Sequence, residues 1–236
     1  LVRVKICGMM SREDVIMAQA AGADGVGFVT EYPVPVPWNL PREKARDLVR
    51  TAPPFLTTVA VVGGSPEGIL EIARAVRPGV IQLHGDETLQ EIREVVKGLE
   101  GTGIQVIKAM RVNVDTGLAS FEETDPLKAG EVLAGSGIRA LVVDSRTSSM
   151  PAGTGVSLDW DMAAAIVRRL DLPVILAGGL SAGNVAAAVE MVRPYAVDVI
   201  TGVESGPGIK DEAKMRAFVR AAKGTGRNTK GVKSDA

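Results

Sequence analysis

The sequence lacks most of what marks a disulfide scaffold, a metal site, a nucleic-acid binder or a membrane protein. One cysteine, Cys7, stands in 236 residues, so no internal disulfide forms. One histidine, His84, accompanies it, and that pair falls short of an all-protein zinc site. Aromatic residues make up 3%, too few for base-stacking surfaces. Lys+Arg total 27 and Asp+Glu 28, a net charge of -1. Such a balance leaves no electrostatic footprint for nucleic acid or an anionic membrane. No apolar run approaches the roughly 18 residues of a membrane span. The N-terminus has no charged stretch followed by an apolar one, the mark of a signal peptide. The reading is a soluble cytoplasmic enzyme acting on a small molecule, without a tightly bound metal, as a monomer or a homodimer.

What is present is a long alternation. Short β-rich runs occupy 2–7, 24–29, 57–62, 80–84, 104–109, 139–144, 173–178 and 196–201. Amphipathic helical patterns lie between them and usually end near Gly or Pro. Ser11 is a good N-cap for the first, with acids in its first turn. Pro41 suits the first position of the second. Eight strands alternating with helices predict a single (β/α)8 barrel over 1–223. An open doubly wound sheet is the other candidate, but no GxGxxG follows the first strand. The stretch after the fifth run is long and irregular, with a short helix in it. The polar tail, 224–236, is expected to fray.

In such a barrel the chemistry collects at the C-terminal strand ends. Cys7, His84 and Asp144 end the first, fourth and sixth runs, and Arg111 lies just past the fifth. Two glycine-rich turns, AGGLSAGN (177–184) and TGVESGPG (201–208), follow the seventh and eighth. Either they only make tight turns, or their backbone N–H groups cradle an anion. Two such turns at these two strands point to a phosphate site, held by the N–H groups of Gly178, Gly179, Gly202 and Val203. The substrate is then a phosphorylated small molecule. Asp159 and Asp161 open a helix and read as capping acids. Alternation puts Lys5 and Cys7 on one face of the first strand, and the eighth strand closes against the first. Lys5 is therefore expected to pair with Asp198 inside the barrel, since either alone would be costly to bury. The pair is structural first, and a tuner of Cys7 second.

The stretches VKICGM, ADGVGFV, IQLHGDE, VVDS with GTGVSLDW, ILAGGLSAGNV and YAVDVITGVESGPGIKD resemble the phosphoribosylanthranilate isomerase family. They run in family order from residue 2 to about 211. The resemblance implies a cofactor-free Amadori rearrangement of N-(5-phosphoribosyl)anthranilate in tryptophan biosynthesis. It assigns the general base to Cys7 and the general acid to Asp144. A thiolate is the competent base, so the thiol is expected to be pulled towards neutrality by Lys5 or nearby N–H groups. One departure stands out. Family members commonly carry an arginine after the second strand to hold the anthranilate carboxylate, and here Trp38 occupies the counted position. Arg111 is then expected to take the carboxylate, with Trp38 against the aromatic ring and His84 among the substrate contacts. The competing readings are a related isomerase of histidine biosynthesis, whose reaction uses two aspartates, and a phosphate-ligand-binding barrel without turnover.

Overall fold

The protein is described by a computed structural model that covers residues 1–146 and 158–224. Eight parallel strands close into a barrel in sequence order. They are β1 (Arg3–Ile6), β2 (Gly25–Val29), β3 (Thr57–Val62), β4 (Val80–Leu83), β5 (Gln105–Asn113), β6 (Leu141–Arg146), β7 (Val174–Leu176) and β8 (Ala196–Val199). The outer helices are α1 (Arg12–Ala21), α2 (Arg42–Val49), α3 (Pro66–Val76), α4 (Leu89–Gly98), α5 (Pro126–Ala134), α6 (Trp160–Arg169), α7 (Val185–Val192) and α8 (Glu212–Gly224). Among the described residues no helix is long and apolar enough to cross a membrane.

Local chemistry starts the helices where the sequence suggests. Ser11 and Asp14 form a reciprocal capping box on α1, as Thr88 and Glu91 do on α4. Asp159 caps α6 by accepting from the N–H groups of Asp161 and Met162. Pro41 sits one residue earlier than expected, in extended backbone as the N-cap of α2. Gly224 closes α8, and the rest of the expected tail lies outside the described residues.

The strands divide two apolar cores by alternation. Val26, Phe28, Ala60 and Val62 face outward to the helices. Val59, Val61, Val80, Ile107, Val142 and Ile175 fill the barrel. Two features differ from expectation. Strand β5 runs four residues further than the sequence reading, to Asn113, because β6 pairs it throughout, Arg111 opposite Asp144 and Asn113 opposite Arg146. Arg111 is therefore a strand residue and not a loop residue. After β8 the chain makes a single 3-10 turn, Thr201–Val203, and then a small hairpin of β9 (Glu204–Gly206) and β10 (Ile209–Lys210).

Candidate active site

The C-terminal mouth of the barrel holds a cavity of about 720 Å³, counting its open entrance. Cys7, Trp38, Gln82, His84, Asp144, Gly178, Gly179 and Asp198 are among the residues that line it. Strand ends β1, β4, β6, β7 and β8 thus all contribute.

Cys7 continues the inward face of β1, its N–H bonded to the carbonyl of Val199 at 2.8 Å. It is 7% exposed. The thiol sits against Gly27 of β2, where a Cβ would lie 2.5 Å from Sγ. Lys5 and Asp198 are register partners, and Lys5 Nζ donates to Asp198 Oδ2 at 2.5 Å. The pair lies beneath the thiol, as alternation required. Burial alone would lower Lys5, but Asp198 and Cys7 together hold it above its ordinary value. The thiol departs from expectation. Burial pushes Cys7 up, Lys5 opposes this without overcoming it, and Asp198 adds to the rise. The free protein therefore keeps Cys7 as a thiol at neutral pH, because a buried anion loses more in hydration than one neighbouring ammonium restores.

Asp144 faces the same cavity from β6. Burial pushes its carboxyl up to about 7, with Asp198 adding to the rise and the Ser145 N–H, Lys5 and Arg111 opposing it. One carboxyl oxygen accepts from the Ser145 N–H at 2.8 Å. The other lies 3.6 Å from His84 Nε2. That contact is not an ion pair. Burial first, then Arg111, Lys108 and Lys5, push His84 down to about 3, so the imidazole is neutral. Its Nδ1 meets the Gln82 amide nitrogen at 3.2 Å. Its backbone carbonyl accepts from the Tyr32 hydroxyl at 3.0 Å.

The two glycine-rich turns meet after β7 and β8, between β6 and β1. Gly178 and Gly179 have φ of 86° and 61°, left-handed backbone that favours glycine. Asn184 stitches their turn, donating to the Gly179 carbonyl at 2.9 Å and accepting from the Ser181 N–H at 2.8 Å. Gly202 packs the second turn onto the first, for a Cβ there would lie 2.0 Å from the Leu180 carbonyl oxygen. Gly178, Gly179 and Thr201 line the cavity, while Gly202 and Val203 follow Thr201 in the 3-10 turn and are not among the lining residues.

The remaining two expected site residues are placed differently from each other. Trp38 lines the cavity, and its indole N–H donates to Glu204 at 2.7 Å. Glu204 also pairs with the buried Lys210 at 2.6 Å, so the loop before α2 is fastened to the β9–β10 hairpin. Arg111 is buried, is not among the residues that line the cavity, and pairs with Asp86, whose side chain is 71% exposed. The residues that sequence reasoning missed are Gln82, Tyr32 and Asn184. Gln82 lies inside the quoted IQLHGDE stretch and Asn184 inside ILAGGLSAGNV, but neither residue type announces a role.

Comparison with known proteins gives a consistent result. The model of the family described as N-(5'phosphoribosyl)anthranilate (PRA) isomerase matches residues 4–221. The N-(5'-phosphoribosyl)anthranilate isomerase of Methanopyrus kandleri is 43% identical over 225 residues, 94% of this chain and 99% of that one. Its counterpart in Haloferax volcanii is 41% identical over 224 residues, 94% of each chain. Among solved structures, a phosphoribosyl anthranilate isomerase in complex with reduced 1-(o-carboxyphenylamino)-1-deoxyribulose 5-phosphate superposes with a TM-score of 0.74 at 32% identity, covering 95% of this chain and 100% of that chain.

Proposed function

The chain belongs to the N-(5'-phosphoribosyl)anthranilate isomerase family, and on that premise we propose that its cavity carries out the Amadori rearrangement of N-(5-phosphoribosyl)anthranilate in tryptophan biosynthesis. The product is 1-(2-carboxyphenylamino)-1-deoxyribulose 5-phosphate. Asp144, as the neutral acid, protonates the furanose ring oxygen. The C1–O bond breaks and the anthranilate nitrogen becomes a protonated Schiff base. Cys7, as the thiolate, removes the C2 proton, and the electron pair moves into an enolamine. Loss of the enol proton and gain of one at C1 give the ketone. Acid and base must reach the sugar from different sides, and β6 and β1 stand well apart around the ring.

One observation carries this reading: a carboxyl held near pH 7 by burial faces the same cavity as the buried thiol. A general acid works best with a pKa near the operating pH. Lys5 favours the thiolate once it forms, since its ammonium opposes the burial cost. The glycine turns after β7 and β8 take the phosphate through backbone N–H groups of Gly178, Gly179, Gly202 and Val203. Trp38 offers its face to the anthranilate ring. Arg111 takes the carboxylate by exchanging Asp86 for it, one carboxylate for another, and the exposure of Asp86 makes that exchange cheap. The test is the loss of substrate fluorescence with purified protein, beside Cys7→Ser and the bulkier ribotide of histidine biosynthesis. No turnover of the anthranilate ribotide overturns the reading.

A further inference from the structure

Strand β4 directs Val80, Gln82 and His84 along one inward face. Gln82 is 2% exposed, yet it borders the cavity. Its amide nitrogen meets His84 Nδ1 at 3.2 Å. Its amide oxygen, Oε1, is buried and has no hydrogen-bond partner among the described residues. A buried acceptor left without a donor keeps its desolvation cost uncompensated, so this oxygen calls for an occupant of the cavity. The imidazole itself has one proton to place, because it is neutral. Which nitrogen carries it is decided by what faces the other. An amide N–H at Nδ1 makes that nitrogen the acceptor and puts the proton on Nε2, the nitrogen 3.6 Å from Asp144.

We propose that Gln82 is the positioning residue of the acid: its amide N–H fixes His84 as the Nε2–H form aimed at Asp144, and its amide oxygen receives a hydroxyl of the bound sugar. The inference rests on the isomerase reading of the cavity and adds to it. When Asp144 gives up its proton, the new carboxylate finds an N–H already oriented towards it. When the sugar binds, one amide links the substrate hydroxyl to that N–H. The charged and polar groups around the ring fit this arrangement. Asp144 comes from β6, Arg111 and Lys108 from β5, Lys5 from β1 and Tyr32 from the loop after β2, and none of them faces Nδ1 with an acceptor in the described hydrogen bonds.

The single histidine makes the test direct. Untagged protein labelled with 15N-histidine has one pair of ring-nitrogen signals. The expected spectrum has protonated Nε2 and bare Nδ1 from about pH 5 to 9. Gln82→Glu keeps the shape but offers an acceptor to Nδ1. It should move the proton to Nδ1 and lower kcat about 10- to 100-fold, less than the roughly 10²- to 10⁴-fold of losing the acid itself, because Asp144 remains. Gln82→Leu should weaken binding of the reduced product analogue about 5- to 30-fold while leaving inhibition by inorganic phosphate unchanged. A wild-type spectrum with the proton on Nδ1 overturns the proposal without any variant. So does a Gln82→Glu protein with the wild-type tautomer and wild-type kcat. The tautomer is read without substrate, so an expected spectrum from a protein inactive on the anthranilate ribotide would reject the reaction and not the positioning.

Discussion

From β1, β4 and β6 the cavity receives side chains, Cys7, Gln82, His84 and Asp144; after β7 and β8 it receives mainly backbone, in two glycine turns pressed together. The side-chain half moves protons, and burial has shifted three of its groups away from their ordinary values. The backbone half carries one acid, Asp198, tied to Lys5. Its N–H groups are fixed by left-handed glycines and by Asn184. Binding energy and chemical work are thus given to different strands around one ligand. The division teaches that the acid and base should govern kcat and the glycine turns KM, and substitutions at Cys7, Asp144 and Gly179 test that split.

The largest effect belongs to the proton-moving half. Cys7→Ser is expected to lose about 10³-fold or more in kcat, at the upper end of general-base contributions, with inhibition by inorganic phosphate unchanged. Asp144→Asn should do similar damage, because an amide cannot give the ring oxygen its proton. A Cys7→Ser enzyme with most of its activity would move the chemistry elsewhere.

Two changes of intermediate size probe binding. Gly179→Val strains left-handed backbone and crowds the phosphate, so KM should rise about 10- to 150-fold, the value of one charge-assisted hydrogen bond. Phosphate should then inhibit correspondingly less, with kcat little changed. Arg111→Ala should cost a similar factor in kcat/KM. Asp86→Asn should cost little or lower KM, since it frees the guanidinium. Equal damage from both would mean that the Arg111–Asp86 pair shapes the mouth and does not exchange.

The smallest effect is a shape. With Asp144 at about 7 and Cys7 above its ordinary value, the majority form between the two is thiol with carboxylate. The active form, thiolate with carboxylic acid, is its proton tautomer and holds a constant minor share across that window. Below about pH 7 the thiolate declines tenfold per unit while the acid is already loaded. Above the thiol pKa the acid declines instead. A kcat/KM profile flat from about 7 into the alkaline range is expected, with alkylation of Cys7 titrating at the alkaline edge. An alkylation midpoint near neutrality would assign the limbs the other way round.

Much of this was legible in the residues. The eight alternating runs, the caps at Ser11 and Asp159 and the Lys5–Asp198 pair all follow from local chemistry and ring closure. The thiol pKa was not, because its sign depends on how completely the barrel excludes water around one ammonium. The length of β5 was not, since only the register with β6 extends it to Asn113. Trp38 was read for its ring, but its bond to Glu204 spans 166 positions and leaves no local trace. Gln82 leaves no such signal, because an amide has no proton affinity to shift and its importance lies in which way its two ends point.

Gly27 lets the history of the site be read as a constraint on change. The notch it leaves is filled by Sγ, with 2.5 Å where a methyl group would stand. No residue larger than glycine can arrive at position 27 while the thiol stays where it is. Any lineage that exchanged this base for a longer carboxylate would first have to find new room along β1, and it would find none on the β2 side. Two neighbouring strands are thus coupled sterically, since a side chain at position 27 and the thiol at position 7 exclude each other.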